Sequence, residues 1–303
     1  MDFGKIPHFQ EIDFTLPPDP DSNAALALER GSADLQFYIG ATGWSVPEWK
    51  GIIYPSSCSA RDYLKHYSRQ FNTLECNTTH YRIPSVATVQ SWYQQTPADF
   101  RFCPKMPQQV SHRRDLGLQS GQLRLFMDNI AGLQEKLGPV FIQFPPYFAP
   151  GNYFLLEKFL DQAPADIRIA LELRHPDWFT DPALLDRLQS LLYKKGVGLV
   201  LTDVAGRRDV LHMRYSAPFS LIRFVGNGLH PTDYQRVNTW ITRLAHWAEA
   251  GLREIYFFAH EPDNLLAPEL AAYIYEQIKG KAWISGRGPH IQPKTDIQTK
   301  LFD

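Results

Sequence analysis

The sequence contains few cysteines and no surplus of charge of either sign. Cys58, Cys76 and Cys103 are odd in number and too far apart for a Cys-x-x-Cys pair, which argues against a disulfide framework and a structural zinc site. We interpret them as reduced packing residues. The 31 lysines and arginines balance 32 acidic residues, so the formal net charge of -1 gives no general attraction to nucleic acid or an anionic membrane.

The sequence also lacks a long hydrophobic run. Residues 1–14 carry acidic side chains and no continuous apolar segment, and no later stretch approaches the roughly 20 apolar residues that cross a bilayer. We therefore predict a cytoplasmic protein that does not bind membranes. Internal repeats, a Gly-x-Gly-x-x-Gly turn after the first strand and a His-Glu-x-x-His motif are absent too, and no cofactor is indicated.

What the sequence does contain is an alternation of short β-branched or aromatic runs with helical patterns. With 303 residues and 44% hydrophobic content, the chain is large enough for a single α/β domain. Eight strands fit either a (β/α)8 TIM barrel or an open doubly wound sheet, and the missing glycine motif favours the barrel. Helices are predicted at 122–137 and 234–250, among others. The predicted strands are residues 37–43, 73–78, 102–106, 140–144, 169–174, 199–203, 221–225 and 255–260.

Both ends of the chain differ from this pattern. Residues 1–35 form a predicted N-terminal arm, with three prolines between positions 17 and 20 and a short helical piece near residues 24–29. The barrel is predicted at 36–283. The tail, 284–303, has glycines and prolines but little apolar periodicity, so we expect it to pack loosely or to be partly disordered. Residues 204–220 contain no convincing helix and are interpreted as a functional loop.

Polar side chains recur on one face of the predicted strands. Alternation places Ala170, Glu172 and Arg174 on the inward face of the fifth strand, whereas Ile169 and Leu171 face the helices. All these polar residues lie near carboxyl ends of strands, where barrel enzymes have their active sites. We therefore predict a polar site there. The further members of this set are Glu75, Asn77, Lys105, Gln143, Asp203, Arg223 and His260.

Several interpretations of this set remain open. Pairs such as Glu75 with Lys105 and Glu172 with Arg223 would make a purely structural network. A desolvated Lys105 would also serve as a base or a Schiff-base nucleophile, and Glu75 with Glu172 would serve as the two carboxylates of a glycosidase. Asp203, with these carboxylates, His175 and His260, would furnish a divalent metal site, although no dense ligand motif accompanies them.

The loops after the strands add cations and aromatic rings around this predicted mouth. Residues 226–228 (Gly-Asn-Gly) follow strand seven, where barrels often bind phosphate through backbone N–H groups. These features favour an anionic substrate. The cations are His112, Arg113, Arg114, Arg207 and Arg208. The rings, which would stack on a sugar or base or simply pack the loops, are Trp44, Trp49, Tyr54, Tyr81, Trp178 and Phe179.

A series of motifs resembles the YecE-like family, domain of unknown function family 72. It includes residues 40–44 (GATGW), 71–81 (FNTLECNTTHY), 143–145 (QFP) and 170–175 (ALELRH), within a match over roughly residues 36–280. Two positions depart from the family pattern: Val225 replaces a common histidine, and residues 258–261 (FAHE) replace a typical asparagine pair. The resemblance implies a TIM barrel and no established reaction. It also implies a polar pocket formed by Glu75, Asn77, Lys105, Gln143, Glu172, Arg174, His175 and Arg223.

The leading hypothesis is an enzyme that acts on a small anionic molecule, phosphorylated or sugar-like. Lys105, Glu172 and Glu75 are the catalytic candidates. A metal-assisted isomerase or hydrolase and a non-catalytic protein that binds nucleic acid or a partner protein are the alternatives, and the sequence does not determine the oligomeric state. The candidate substrate-binding residues are Asn77, Gln143, Arg174, His175, Asp203, Arg223, His260 and Trp44.

Overall fold

Parallel strands alternate with helices along most of the chain. The structure, a computed structural model, describes residue 6, residues 8–26, residue 28 and residues 34–291. Each of the eight predicted strands overlaps an observed strand, which confirms the predicted alternation. The strands are β1 Leu35–Gly40, β2 Thr73–Cys76, β3 Arg101–Pro104, β4 Val140–Gln143, β5 Ile169–Glu172, β6 Gly198–Asp203, β7 Phe219–Val225, β8 Glu254–His260 and β9 Ile284–Arg287.

Helices connect successive strands and bury their apolar faces against them. The helix predicted at 122–137 is an α-helix to residue 130 and a 3-10 helix to residue 136, and the one predicted at 234–250 begins three residues earlier, at Pro231. A capping box of His230 and Asp233 fixes that start. The α-helices of the described residues are α1 Asp21–Ala24, α2 Tyr63–Gln70, α3 Thr78–Tyr81, α4 Val86–Gln95, α5 Gln108–Ser111, α6 Gln122–Ile130, α7 Tyr153–Gln162, α8 Pro182–Lys194, α9 Pro231–Glu249 and α10 Ala267–Ile278.

The strands pair in parallel in two sheets. Seven of them form one sheet in the order β4-β5-β6-β7-β8-β1-β9, and β2 pairs with β3 in the other. The protein is therefore an α/β protein with a mostly parallel central sheet. Strand pairing within the described residues does not form a closed ring, so the (β/α)8 barrel stays a prediction.

A side chain, rather than a strand ladder, joins β1 to the start of β2. The Asn72 side chain accepts a hydrogen bond from the Ile39 backbone N–H at 2.6 Å and donates one to the Phe37 carbonyl at 2.9 Å. A carboxamide carries both a donor and an acceptor, as a peptide unit does. Asn72 therefore satisfies two buried backbone groups that a neighbouring strand would otherwise bond.

Replacing Asn72 with alanine is expected to lower the free energy of unfolding by about 1–3 kcal/mol, because two buried backbone groups lose their partner. Urea denaturation measures this loss. Asn238→Ala is the matched control, since Asn238 is exposed on α9 and should change stability by less than about 0.5 kcal/mol. Equal stability of the two variants would contradict the bridging role.

The strands bury side chains on both faces, with the alternation that the sequence predicts. Ile169 and Leu171 of β5 pack with residues of α6, α7 and α8, whereas Ala170 points to the other side. Free cysteines 58, 76 and 103 are all buried, as predicted for packing residues. The inner cluster consists of Cys103, Phe141, Ala170, Val200, Ala217, Phe219, Leu221, Tyr256 and Phe258.

The beginning of the C-terminal tail differs from its prediction. Instead of packing loosely, Ile284–Arg287 forms β9 and pairs with β1. Gly286 permits the close approach, because a Cβ there would collide with the Phe37 backbone. Four residues that include a glycine carry too little apolar alternation to be recognised as a strand. The rest of the predicted tail, from residue 292, lies outside the described residues.

The described part of the N-terminal arm is bound to α9 and to the loop after β6. Arg243 donates to Asp19 at 2.7 Å, and the Phe14 ring lies 4.6 Å from the Arg236 guanidinium. The helical piece predicted near residues 24–29 is displaced: the observed helix α1 is Asp21–Ala24 and shares only Ala24 with the prediction. Residues 27 and 29 lie outside the described residues.

The connection after β6, predicted to lack a helix, contains the 3-10 helix Ala205–Val210. Its remainder up to β7 is irregular. No helix in the described ranges has both the length and the hydrophobicity to cross a membrane.

Candidate functional site

A cavity of about 180 Å³ lies at the carboxyl ends of the strands. Its walls come from the ends of β1, β2, β5, β6, β7 and β8, because parallel strands bring these ends to one side of the sheet. Its size suits a small molecule, being below the range of about 300–1,000 Å³ typical of drug-sized ligand sites. The residues that line it are Thr42, Asn77, Arg174, Thr202, Arg223, Val225, His260, Glu261, Pro262 and Asn264.

Arg223 is at the centre of the charges beneath this cavity. Its guanidinium donates to both carboxylate oxygens of Glu75, at 2.9 and 3.0 Å, and to Glu172 at 2.8 Å. All three side chains are buried. A buried arginine that bridges two buried carboxylates offsets one of their two negative charges, and each group would be costly to bury alone.

The network continues from Glu172 to two further cationic residues. Arg174 Nε donates to Glu172 Oε1 at 2.9 Å, and the Gln143 amide donates to Oε2 at 2.7 Å. Gln143 in turn accepts a hydrogen bond from Lys105 Nζ at 2.9 Å. Burial, together with the nearby Arg223, lowers the pKa of Lys105 to about 8. Near neutral pH the lysine is therefore still mostly protonated.

Both carboxylates stay ionised in this network. Burial alone would raise their pKa values, but Arg174 and Arg223 lower the pKa of Glu172 to about 2. Arg223 and His260 likewise hold the pKa of Glu75 well below its usual range. A glycosidase needs one protonated carboxylic acid as proton donor, and neither residue meets this requirement. The pKa shifts therefore disfavour the glycosidase interpretation, and the catalytic roles predicted for Glu75 and Glu172 stay predictions.

His260 and Glu75 form a carboxylate–imidazole pair. Nε2 of His260 lies 3.0 Å from Oε2 of Glu75. An ionised carboxylate only accepts hydrogen bonds, so this contact assigns the ring proton to Nε2 and leaves Nδ1 with the lone pair in the neutral ring. Burial lowers the pKa of His260 despite the neighbouring Glu75. The lowered pKa favours the neutral imidazole, which Glu75 orients and whose Nδ1 keeps its lone pair.

Glu261, the next residue in the chain, is a buried acid that the sequence analysis did not select. Its Oε2 accepts a hydrogen bond from the Gly228 N–H at 2.8 Å, whereas Oε1 is buried without a partner among the described residues. Burial raises its pKa to about 7, which the Gly228 hydrogen bond only partly opposes. The sequence showed that Glu261 is acidic and lies at the end of β8. It did not show the burial that raises the pKa of this residue.

The turn after β7 holds carboxylates and leaves no N–H group for a phosphate. Gly226 N donates to the His260 carbonyl and Asn227 N donates to Asp233, each at 2.8 Å. Gly228 N donates to Glu261. All three N–H groups expected to bind phosphate are thus already bonded, and two of their partners are acidic residues that would repel an anion.

Replacing Gly226 with alanine is expected to displace the Glu261 carboxyl group, because a Cβ at residue 226 would lie 2.8 Å from the Glu261 Cδ atom. We expect a loss of about 1–3 kcal/mol in the free energy of unfolding, typical of overpacking. Gly151→Ala is the control, since no atom lies within 4 Å of its added Cβ. A Gly226→Ala variant as stable as this control would contradict the placement of Glu261.

Comparison with protein families gives one match that covers most of the chain. Residues 38–294 match the family model described as Protein of unknown function DUF72. The chain belongs to the DUF72 family. The resemblance predicted from the motifs is thereby confirmed.

The DUF72 chain is similar to two bacterial UPF0759 proteins. It is 31% identical over 278 residues to UPF0759 protein YecE of Escherichia coli (strain K12), which covers 86% of this chain and 99% of YecE. It is 30% identical over 153 residues to UPF0759 protein YunF of Bacillus subtilis (strain 168), covering 48% of this chain and 53% of YunF. These relatives place the chain in the family and assign no reaction.

Solved structures of DUF72 family proteins share its fold. One from Enterococcus faecalis V583 superposes with a TM-score of 0.65 at 19% identity, covering 83% of this chain and all of the other. One from Thermotoga maritima MSB8 superposes with a TM-score of 0.58 at 24% identity, covering 74% of this chain and 92% of the other. At these identities the likeness concerns the fold alone.

Most of the predicted site residues of this DUF72 protein meet at one place. Arg174, Arg223, Asn77 and His260 line the cavity, and Val225 lies beside His260 as its register partner between β7 and β8. The others of the group lie directly beneath the cavity wall in the hydrogen-bonded network: Glu75, Lys105, Gln143 and Glu172.

Three predicted site residues of the DUF72 chain do not reach the cavity. Asp203 is the clearest correction: it accepts from Trp240 Nε1 at 2.7 Å and pairs with Arg236 and Arg208, on the helix side of β6. Because side chains alternate along a strand, Thr202 lines the cavity and Asp203 does not. His175 instead caps the 3-10 helix Pro176–Trp178.

Trp44 is the third of these residues, and it packs edge to face on Trp92 with ring centroids 5.6 Å apart. The predicted rim cations also have other roles. Arg207 donates to the Arg174 carbonyl at 3.0 Å, and Arg208 donates to the arm at Phe14. Of the loop aromatics, Trp49, Tyr54 and Trp178 are buried, whereas Tyr81 is exposed.

The alternative metal-ligand set of Glu75, Glu172, Asp203, His175 and His260 is not assembled among the residues that this DUF72 structure describes. Each of these carboxylates is already paired with an arginine. Within the residues that the structure describes, no three His, Cys, Asp or Glu side chains are grouped so that they could hold a metal ion.

Proposed function

We propose that this protein is an enzyme that transfers protons on a small anionic molecule bound in the cavity at the carboxyl ends of its strands. The observation that carries the proposal is the pair of adjacent residues His260 and Glu261. Burial lowers the pKa of the base and raises the pKa of the acid, the latter to about 7. Titratable neighbours whose pKa values are shifted in opposite directions by their surroundings are typical of acid–base catalysis.

The two residues have distinct roles in the proposed reaction. Nδ1 of His260 accepts a proton from a carbon next to a carbonyl or carboxyl group of the substrate. Glu261 donates its proton to the oxygen on which negative charge develops, and returns to the carboxylate that Gly228 N stabilises. Glu75 orients His260 through Nε2, as a carboxylate orients histidine in other acid–base sites.

The charges around the cavity favour an anionic substrate. Three cationic residues, Lys105, Arg174 and Arg223, face two ionised carboxylates, Glu75 and Glu172. Glu261 also lines the cavity, but its raised pKa of about 7 leaves it only partly charged near neutral pH. Arg174 lines the cavity and is mostly buried, so its field is little screened by water. In this proposal Lys105 contributes positive potential rather than acting as the base, because it donates to Gln143 and does not line the cavity.

The proposal includes a closed (β/α)8 barrel over residues 36–283. Supporting contacts cross both gaps between the two sheets. At the β3–β4 gap, Met106 N donates to the Phe141 carbonyl at 2.9 Å, and at the β1–β2 gap Glu75 N donates to the Ala41 carbonyl at 3.1 Å. The Tyr67 hydroxyl also bridges the second gap. In a closed barrel the mouth would surround the cavity on all sides.

Thermal unfolding with small carboxylates, sugar phosphates and uncharged polyols tests the binding part of this proposal. An anion at 100 times its dissociation constant is expected to stabilise the wild type by about 2.7 kcal/mol and to have a much smaller effect on Arg174→Met. Each variant is compared with its own ligand-free midpoint. Arg113→Met, at an exposed arginine, is the control and should respond as the wild type does. An equal response of Arg174→Met and the control would contradict the proposed anion site.

A further inference from the structure

Three buried oxygen atoms without a hydrogen-bond partner among the described residues belong to walls of the same cavity. They are Asn77 Oδ1, Thr202 Oγ1 and Glu261 Oε1. Buried side-chain polar atoms rarely lack a partner, and each exception calls for an explanation. Their concentration around one cavity indicates that a bound molecule completes their hydrogen bonds.

The chemistry of these atoms defines what that molecule must offer. Asn77 Nδ2 donates to Glu75 Oε1 at 2.8 Å and lies 3.3 Å from the Thr42 carbonyl, so the amide orientation is fixed and Oδ1 is an acceptor. Glu261 Oε1 accepts in the carboxylate form and donates in the protonated form from which the proposed reaction starts. Thr202 Oγ1 can accept or donate. Asn77 Oδ1 therefore requires a donor on the ligand, and the other two positions require a group that can both donate and accept.

We infer that the substrate is a small polyhydroxylated anion, such as a short sugar acid, whose hydroxyl groups donate to Asn77 and exchange hydrogen bonds with Thr202 and Glu261 while its anionic group faces Arg174. A hydroxyl group suits all three sites because it both donates and accepts, whereas an ammonium group would be repelled by the cations beneath the cavity. The inference deepens the proposed function and depends on it only for the cavity as the place of binding.

Matched carboxylates provide the test. Calorimetric titration compares propionate, lactate and both enantiomers of glycerate, which share a three-carbon skeleton and differ in their number of hydroxyl groups. For the wild type we expect at least one glycerate enantiomer to bind about tenfold or more tightly than propionate, with lactate between them. Equal affinities across the series, or no binding by any hydroxylated member, would overturn the inference.

Thr202→Val provides the second arm, because valine has nearly the shape of threonine without the oxygen. We expect this variant to lose most of the gain in affinity that one added hydroxyl group gives in the wild type, while its affinity for propionate stays within about twofold. Thr239→Val, at an exposed threonine of α9, should bind propionate, lactate and glycerate with the same relative affinities as the wild type. A Thr202→Val variant that keeps the full preference for hydroxylated anions would contradict the role of that oxygen.

The same titrations separate this inference from the proposed function. If hydroxylated anions bind selectively but the protein transfers no proton on them, the substrate class is supported and the catalytic proposal fails. If the protein transfers protons on carboxylates without regard to their hydroxyl groups, the catalytic proposal stands and the inference about substrate class is wrong.

Discussion

Replacing Arg223 with methionine is expected to lower the free energy of unfolding by about 3–5 kcal/mol, the cost of leaving buried charges without their partner. Arg223 donates three hydrogen bonds to Glu75 and Glu172, and both carboxylates are at most 2% exposed. Denaturation in urea near neutral pH measures the loss. The expected effect is large because one substitution removes hydrogen bonds from two buried carboxylates: Glu172 keeps Arg174 as a cationic partner, whereas Glu75 keeps only Asn77 and His260.

Two companion variants make this result specific. Arg113→Met removes an arginine whose side chain is 54% exposed and should cost less than about 0.5 kcal/mol. Adding Glu75→Gln to Arg223→Met should recover part of the lost stability, since Glu75 is the carboxylate left without a cationic partner by the first substitution, whereas Glu172 keeps Arg174. A loss that this glutamine does not reduce would contradict the electrostatic origin of the effect.

Replacing His260 with glutamine is expected to slow proton transfer by about 100- to 10,000-fold, the usual contribution of a positioned acid or base. The measurement follows the loss of carbon-bound proton signals by NMR in deuterated water, with small hydroxycarboxylates and sugar phosphates as substrates. Glutamine keeps a donor for Glu75 but has no basic nitrogen, so the fold and the cavity should be retained. Glu261→Gln should slow the reaction over a similar range.

The control for this prediction is His246→Gln, at an exposed position of α9. Its rate of exchange should match the wild type. Ligand affinity in His260→Gln should change much less than the rate, because the imidazole acts on the reacting atom and Arg174 remains in place. An exchange rate in His260→Gln within about twofold of the wild type would contradict its role as base.

Strand alternation accounts for how much of the site could be predicted. Glu75, Glu172 and Arg223 occupy inward positions of clear two-residue patterns, and the structure joins them. Asp203 was also predicted to face the site, because it is polar and lies at the end of a strand. It is two residues after Leu201, however, so both side chains point to the helix side of β6. Where the two-residue alternation of side chains was applied strictly, it therefore predicted correctly which face of the sheet a side chain occupies.

Partners and environments could not be predicted in the same way. The pair of Glu172 with Arg223 was one of the predicted combinations, but Glu75 also binds Arg223, and Lys105 binds Gln143 instead of Glu75. Which side chains meet depends on the stagger of neighbouring strands, which no single strand encodes. Glu261 follows the last residue of β8, where alternation ends, so its burial depends on the turn after β7.

The fold, like the site, could be predicted from the sequence only in part. Eight strands were recognisable from their composition, whereas β9 was not, because its pairing with β1 depends on a close approach at Gly286. The side-chain bridge of Asn72 between β1 and β2 had no sequence signal either. An asparagine before a strand is equally common as a simple turn residue.

The most direct test of the acid–base pair is an NMR titration of His260 and Glu261, assigned by comparing the wild type with His260→Gln and Glu261→Gln. The account predicts that the pKa of His260 lies below its usual value of 6.5 and that of Glu261 near 7, so that the acid titrates above the base. The ordinary order, with the pKa of His260 at or above its usual value and that of Glu261 near 4.5, would contradict the proposed acid–base pair.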